Sequence, residues 1–196
     1  FYIKKNRIIV GLLFCRNEHM YTEYIGPLDR SKLKESTNKL EKAARMLQQG
    51  HLLAFPTETI YGLGGVILNE SVINQIFNVK KRPKSLSLPI AVANLDQIKF
   101  VAEDIPELCL NLMKKLLPGP LTIILKKKQS LSSLITGGKD TVAIRLPSDP
   151  IAKRLIEITG CPLALSSANI SGKPSPTSAS HVLEDLNGSI SAVIDG

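Results

Sequence analysis

Two basic side chains stand at the end of a predicted helix, in the segment KKRPK. The helix is predicted near residues 70–81, with Lys80 in its last turn and Pro83 as its stop. Because proline disfavours helical geometry in the residue before it, Arg82 need not diverge from Lys80 as it would on a continuing helix. We therefore expect both cations to converge on a phosphate. Lys80 offsetting the helix macrodipole is the other interpretation.

A lone arginine lies inside the apolar segment VAIRLP. A strand is predicted over residues 141–146, and its two-residue period places Thr141 and Arg145 on one face. Burying a guanidinium group costs free energy unless an anion lies beside it. The segment therefore predicts an anion next to Arg145, which is either a bound ligand or a structural carboxylate.

The segment ALSSANISG places polar side chains at the end of another predicted strand, residues 163–167. Leu165 and Ser167 share a face of that strand, and Asn169 follows in the exit loop. An Asx turn is the ordinary explanation for an asparagine in such a loop.

The segment PTETIYGLGG combines hydroxyl side chains with glycines. An extended backbone would place Thr57, Thr59 and Tyr61 on one side of the chain. The glycines that follow allow close approach by a ligand or by another backbone. A strand end followed by a glycine-rich turn is the alternative interpretation.

These segments lie in a chain that alternates predicted helices and strands. Apolar spacing and helix start and stop signals predict helices over 31–50, 70–81, 104–117, 151–159 and up to about residue 186. Apolar runs predict strands over 51–55, 88–93, 121–125, 141–146, 163–167 and 190–194. Asp104 is a predicted helix cap, and Asp149 followed by Pro150 is another. The alternation indicates the α/β class.

Length and composition narrow the possible functions. A chain of 196 residues suits one domain with one core, and its formal charge of +8 favours phosphate-rich partners such as nucleotides or RNA. A merely basic solvated surface is the other explanation of that charge. Cysteines without a CxxC pattern and isolated histidines indicate neither a disulfide framework nor a protein metal site, so a reducing cytoplasm fits best.

The first 30 residues are predicted to be an N-terminal extension, with the domain over residues 31–196. Residues 1–19 precede Met20 and need not be native to the domain. Their apolar run, residues 8–15, is shorter than the ~20 residues of a membrane span, and no small-residue cleavage site follows it. We therefore expect no membrane association.

The joint order of several motifs resembles the YrdC/TsaC family of threonylcarbamoyl-AMP synthases from about residue 33 to residue 196. These motifs are FPTETIYGLGG, the K-x-R-P of residues 80–83, LLPGPLTIIL, VAIRLP and SSANISGKPSPT. The resemblance implies a single domain with a twisted mixed sheet and flanking helices around a basic cleft. It also implies a nucleotidyltransferase that forms threonylcarbamoyl-AMP and pyrophosphate from L-threonine, bicarbonate or CO2, and ATP. The product would serve threonylcarbamoyladenosine synthesis in tRNA.

The resemblance implies roles for individual residues. The positions that match the family's phosphate-holding and catalytic residues are Lys80, Arg82, Ser167 and Asn169. Further ATP contacts map to Thr141 and Ser175, and threonine contacts map to Thr59, Arg145 and the backbone near Leu165. Mg²⁺ would accompany ATP, no protein metal ligands are expected, and tRNA-modification transfer proteins would receive the product.

The chain departs from the family pattern at three places. Many relatives have Asn and His at the positions of Leu86 and Ala91, so one nucleotide contact and one threonine contact are expected to differ. Family members also continue past VIDG with a Gly-x-Glu-Ser-Thr segment, whereas this chain stops at Gly196. The domain is therefore expected to be truncated at its C-terminal end.

Two alternatives stay open from sequence alone. The first is a domain that forms carbamoyl-AMP, as in hydrogenase-maturation carbamoyltransferases. The second is a non-catalytic module that binds double-stranded RNA or tRNA weakly, suggested by the charge of +8 and the lysine run at residues 126–128. Such a run is usually a solvated face.

Overall fold

A computed structural model describes residues 21–196 and shows helices packed around one sheet. Its strands are β1 Glu23–Ile25, β2 Leu53–Pro56, β3 Tyr61–Val66, β4 Ile90–Ala91, β5 Thr122–Lys126, β6 Thr141–Arg145, β7 Leu163–Ser167 and β8 Ala192–Ile194. Its α-helices are α1 Thr37–Gln48, α2 Glu70–Lys80, α3 Glu107–Leu116, α4 Ser133–Thr136, α5 Pro150–Thr159 and α6 Ala179–Leu186, with a 3-10 helix over Leu95–Phe100. The predicted apolar run at residues 8–15 lies outside the described residues.

The sheet is mixed and has its strands in the order β1-β8-β2-β3-β7-β4-β6-β5 within the described part of the chain. The pairs β1–β8, β2–β8 and β4–β6 are parallel, and the other neighbouring pairs are antiparallel. This arrangement confirms the predicted α/β class with a mixed sheet. Among residues 21–196, no helix has the length and apolar character that crossing a membrane requires.

Strand β3 packs tightly because three of its residues are glycine. A Cβ atom on Gly64 would lie 2.7 Å from Phe55 Cε1, and a Cβ on Gly65 would lie 2.5 Å from Val72 Cγ1. Val72 belongs to α2, so the missing side chain at Gly65 lets this helix approach the sheet closely. The helix in turn delivers Lys80 to the end of the neighbouring strand β7.

Two predicted helix signals are present as hydrogen bonds. Asp149 Oδ1 accepts the backbone N–H groups of Ile151 and Ala152, and Pro150 stands at the first position of α5. Helix α2 ends at Lys80, where Lys81 takes a left-handed conformation with φ of 51° and its N–H bonds to Asn78 O. Pro83 then prevents the helix from resuming.

Several boundaries differ from the sequence predictions. Asp104 has a positive φ of 50° and does not cap a helix; α3 begins three residues later, after Pro106. The strand predicted over 88–93 is reduced to Ile90–Ala91. On its two sides, the Leu88 N–H bonds to Ile135 O in α4, and the Ala93 N–H bonds to Gln97 Oε1 in the 3-10 helix. Propensity patterns mark the apolar run but not where its ladder partners stop.

Part of the predicted N-terminal extension belongs to the sheet. Residues 23–25 form β1, which pairs with β8 in parallel, and Leu28 is buried. A three-residue strand is too short to show a period of two, so its sequence gave no strand signal.

Filling the space at Gly65 is predicted to destabilise the fold. In Gly65→Ala the new methyl group meets Val72 on one side and Leu52 Cδ2, at 2.8 Å, on the other. Such overpacking costs about 1–3 kcal/mol, so the free energy of unfolding in urea should fall by that amount. The control Lys39→Ala, on the exposed face of α1, should change it by less than about 0.5 kcal/mol. Wild-type stability in Gly65→Ala would contradict the close packing of α2 on β3.

Candidate active site

Lys80 forms the centre of a polar cluster under the end of β7. The residue is only 1% exposed, and its Nζ donates to the backbone carbonyl oxygens of Ser167 and of Asn169, the latter at 2.6 Å. The side-chain oxygens of the same two residues each lie 3.5 Å from Nζ. The structure therefore brings three of the predicted phosphate-binding residues together.

Burial changes the chemistry of the Lys80 amine. Burial and, to a smaller extent, the nearby Arg82 guanidinium lower the pKa of Lys80 from 10.5 to about 8, against the opposing effect of Asp185. The two carbonyl oxygens partly replace water around the ammonium. An ammonium held in this way still carries unbalanced positive charge, which is a favourable setting for an anion.

Arg82 follows directly from the left-handed residue that ends α2. Its Nη2 donates to Ser87 O at 3.0 Å, and its backbone N–H donates to Phe77 O. Its Nε is buried and has no hydrogen-bond partner among the described residues. An unpaired buried donor is uncommon, and a phosphate oxygen is a partner that would satisfy it.

The amide of Asn169 and the carboxylate of Asp185 both stabilise the loop after β7. Asn169 Nδ2 donates to Ile170 O at 3.0 Å and to Lys173 O at 2.8 Å, as expected of an asparagine that stabilises its own loop. Asp185 on α6 accepts the N–H of Ile170 at 3.1 Å and the Nζ of Lys173 at 2.5 Å. The hydrogen bond from Lys173 lowers the pKa of Asp185. Sequence reasoning missed Asp185, since nothing in a helical surface carboxylate marks its partner.

Arg145 is paired with a carboxylate, which is one of the two alternatives that the sequence left open. Its Nη2 donates to Glu58 Oε1 at 2.8 Å, and the two side chains are 20% and 15% exposed. Glu58 Oε2 also accepts the backbone N–H of Ser148 at 3.2 Å. Sequence reasoning missed Glu58, although a carboxylate between two threonines and a lone strand arginine were both visible.

A cavity of about 80 Å³ opens beside Arg145. Its walls are formed by Thr57, Ile60, Gly62, Pro89, Arg145, Leu165, Ser166 and Ser167. Gly62 lies close against another wall residue: a Cβ at this position would lie only 2.7 Å from Leu165 Cδ1. Since Ser167 also bonds Lys80, the cavity and the lysine cluster share one residue and are adjacent.

The prediction that Thr57, Thr59 and Tyr61 share one side of an extended segment was wrong. Thr57 Oγ1 accepts the N–H groups of Thr59 and Ile60, which closes a tight turn. Thr57 therefore lines the cavity, whereas Thr59 is exposed. The hydroxyl oxygens of the two threonines lie 3.2 Å apart. Tyr61 instead donates to Asp195, and burial raises the pKa of its phenol to about 12.

The remaining predicted positions are not among the hydrogen-bond partners of the Lys80 amine. Thr141 is exposed at the start of β6, and no side-chain hydrogen bond within residues 21–196 joins it to Lys80. Ser175 is exposed in a second cavity of about 310 Å³, which Lys173 and Asp185 also line. Of the two substituted positions among the departures from the family pattern, Leu86 is 46% exposed, and Ala91 is buried opposite Arg145 in the β4–β6 ladder.

Fold and site together define an α/β protein with two neighbouring cationic positions, one beside the end of β7 and one at the end of β6. The model of the Sua5, YciO and YrdC family, described as telomere recombination, matches residues 45–196. This chain belongs to that family, which confirms the resemblance inferred from its motifs.

Individual relatives agree with this membership. A threonylcarbamoyl-AMP synthase of Pyrococcus abyssi is 49% identical over 158 residues, which cover 81% of this chain and 46% of that protein. One of Pseudomonas aeruginosa is 32% identical over 161 residues, covering 82% and 86% of the two chains. The crystal structure of P. abyssi Sua5 complexed with L-threonine superposes with a TM-score of 0.81 and 44% identity, over 89% of this chain and 50% of that one. The chain thus spans about half the length of its Pyrococcus abyssi relative.

The buried Lys80 amine is predicted to make stability depend on pH. Its pKa is about 8 when folded and near 10.5 when unfolded, so the unfolded chain binds more protons between these values. Stability should therefore rise with pH in this window, by up to about 1.4 kcal/mol per pH unit, relative to Lys80→Met. Urea denaturation of both proteins at about pH 7 and about pH 10 measures the difference. A difference that is the same at both pH values would contradict a buried charged amine.

Proposed function

We propose that this protein forms threonylcarbamoyl-AMP and pyrophosphate from L-threonine, bicarbonate or CO2, and ATP, for threonylcarbamoyladenosine modification of tRNA. The observation that carries the proposal is the position of Ser167. This residue touches the Lys80 amine on one side and lines the Arg145 cavity on the other. A phosphate chain at Lys80 and an amino-acid carboxylate at Arg145 would lie next to each other across it.

The relatives support the same reading. Proteins with the name threonylcarbamoyl-AMP synthase match four-fifths of this chain, and one of them, from Pseudomonas aeruginosa, is matched over 86% of its own length. A related structure was solved with L-threonine bound. The shorter relative indicates that a chain without a second large domain carries this name.

In the proposed chemistry the protein positions the reactants and does not react with them. The neutral threonine amine adds to the carbon of CO2 and releases a proton to solvent, or displaces water from bicarbonate, and either route gives a carbamate. A carbamate oxygen then attacks the α-phosphate of ATP, and pyrophosphate leaves as the phosphorus–oxygen bond to the β-phosphate breaks. No covalent enzyme intermediate is needed, so rate enhancement would come from orientation and from cationic stabilisation of phosphoryl charge.

The described residues supply groups for each of these tasks. Lys80 and Arg82 would stabilise the phosphates, with Ser167 and Asn169 bonding the phosphate oxygens, and Arg145 would hold the threonine carboxylate through its planar fork. We keep Thr141 and Ser175 as ATP contacts, and Thr59 and the backbone near Leu165 as threonine contacts, on the family resemblance alone.

The proposal extends to the metal, the partners and the compartment. Residues 21–196 contain no group of three or more His, Cys, Asp or Glu side chains that could hold a metal ion, so we assign Mg²⁺ to the ATP phosphates. Transfer proteins of tRNA modification would take the labile product. The free thiols of Cys109 and Cys161 are compatible with the cytoplasm.

The RNA-binding alternative is less well supported by the lysine run. Lys126 is paired with Glu103 at 3.2 Å and with Asp104 at 2.6 Å, and Lys127 donates to Leu131 O. The hydrogen bonds that Lys126 donates to the two carboxylates raise its pKa, the one to Asp104 contributing most. Charges neutralised in this way add little to phosphate binding. Carbamoyl-AMP contains no amino acid, so the amino-acid dependence of pyrophosphate release separates the carbamoyl-AMP alternative from this proposal.

Loss of either cation is predicted to abolish most of the turnover. Lys80→Met and Arg82→Ala should each reduce threonine- and bicarbonate-dependent pyrophosphate release roughly ten- to thousand-fold, as when a charge-stabilising donor is removed. Lys114→Ala, an exposed lysine on α3, is the matched control and should retain full activity. If the wild-type protein released no pyrophosphate but bound RNA with a steep salt dependence, the RNA-binding alternative would replace this proposal.

Arg145→Lys is predicted to affect one substrate more than the other. The variant keeps the positive charge but loses the bidentate geometry that suits a carboxylate. Threonine affinity, measured by calorimetry on folded protein, should fall about ten-fold or more, while ATP affinity changes little. Equal losses for both ligands would show that Arg145 acts on the fold and not on threonine.

A further inference from the structure

Asp185 fixes the loop after β7 at two points. It lies near the end of α6, between the buried residues Val182 and Leu186, and its side chain is only 11% exposed. One carboxylate oxygen accepts the N–H of Ile170 at 3.1 Å, and the other accepts Lys173 Nζ at 2.5 Å. Both partners belong to the loop, so an anchored helix holds it in place.

The same part of the chain carries the acceptors of the Lys80 amine. Ser167 ends β7 and Asn169 follows it, and their backbone carbonyl oxygens both accept Lys80 Nζ. Asn169 is adjacent to Ile170, whose N–H bonds to Asp185. The carboxylate, the loop and the ammonium therefore form one connected set of polar contacts across α6, β7 and α2.

Asp185 also acts on Lys80 through its charge. Burial and the Arg82 guanidinium lower the pKa of Lys80, and Asp185 raises it. The end of β7 and its exit loop present carbonyl, hydroxyl and amide groups to the amine, which carry no net charge. In the adjacent cavity, Arg145 is paired with Glu58. The carboxylate of α6 is therefore the counter-charge of Lys80 among the described residues.

The ion pair with Lys173 leaves this effect in place. The Lys173 side chain is 53% exposed, whereas that of Asp185 is 11% exposed. Water and salt therefore screen the Lys173 ammonium more strongly than the carboxylate. Of the two charges, the carboxylate is the one that Lys80 experiences more strongly.

We infer that Asp185 is a positioning residue, which holds the loop after β7 against Lys80 and keeps the Lys80 amine in its charged form. The inference rests on the proposed function, in which this ammonium binds ATP phosphates. The pKa of Lys80 is about 8, close to neutral pH. A small change in the local field therefore changes the charged fraction of the amine and, with it, the affinity for ATP.

The first measurement follows the protonation of Lys80 directly. The protein is labelled with ¹³C-lysine, and the Lys80 side-chain NMR signal is identified by its absence in Lys80→Met. Its titration midpoint is measured between about pH 6 and about pH 10. Asp185→Asn keeps an oxygen acceptor for the Ile170 N–H but loses the charge, so the midpoint should move to lower pH. Glu184→Gln, an exposed carboxylate on the same helix, should leave it unchanged.

Lys173→Met separates the charge from the packing of the loop. This variant breaks the same ion pair but keeps the carboxylate, so the midpoint of Lys80 should stay or move to higher pH. A midpoint that falls in Lys173→Met as it does in Asp185→Asn would show an effect of loop packing alone and would overturn the inference. A wild-type midpoint in Asp185→Asn would overturn it as well.

The second measurement connects protonation with the ligand. ATP is titrated by calorimetry, without threonine, into the wild type and Asp185→Asn at about pH 6.5 and about pH 8.5. The variant should bind ATP roughly two- to five-fold more weakly at the higher pH and equally or more tightly at the lower pH. The same loss at both pH values would contradict the inference. If the wild type bound no ATP, the proposed function would fail, while the NMR titration would still decide whether Asp185 keeps Lys80 charged.

Discussion

The buried ammonium of Lys80 is the interaction on which the rest of the site depends. Its hydrogen bonds to the carbonyl oxygens of Ser167 and Asn169 tie the end of α2 to the end of β7. An ammonium taken out of water is tolerated only where such acceptors surround it, so the helix end and the strand exit must stay in register. The close packing of α2 on the glycines of β3 supplies that register.

Near Lys80, cations from different parts of the chain form two positions that could each bind an anion. Lys80 comes from a helix end, while Arg145 comes from the end of β6 and meets a hairpin turn through Glu58. Ser167, on the strand between them, is common to both. The spacing of the two positions is therefore set by strand order in the sheet and not by any one loop.

The net charge of the chain says less about function than the burial of single cations. Lys126 belongs to the densest run of lysines, yet it is paired with two carboxylates at the surface. Lys80 and Arg82 are two cations among many, but one is buried and the other has a buried donor without a partner among residues 21–196. Desolvation makes a charge specific for its ligand, whereas an exposed charge is screened by water and salt.

The sequence by itself determined the α/β class, the bounds of β7, the capped start of α5 and the family. These features depend on hydrogen bonds and side-chain periods between residues close in the chain, which local patterns record. It also pointed to Lys80 and Arg82, through the helix end broken by Pro83, and to Arg145, because a lone cation in an apolar strand requires a partner. Only the tertiary structure decided what that partner is, as with Glu58 for Arg145 and the carbonyls of Ser167 and Asn169 for Lys80. Those contacts join residues almost ninety positions apart, |i−j| being 87 for both Lys80–Ser167 and Arg145–Glu58, and strand order alone brings them together.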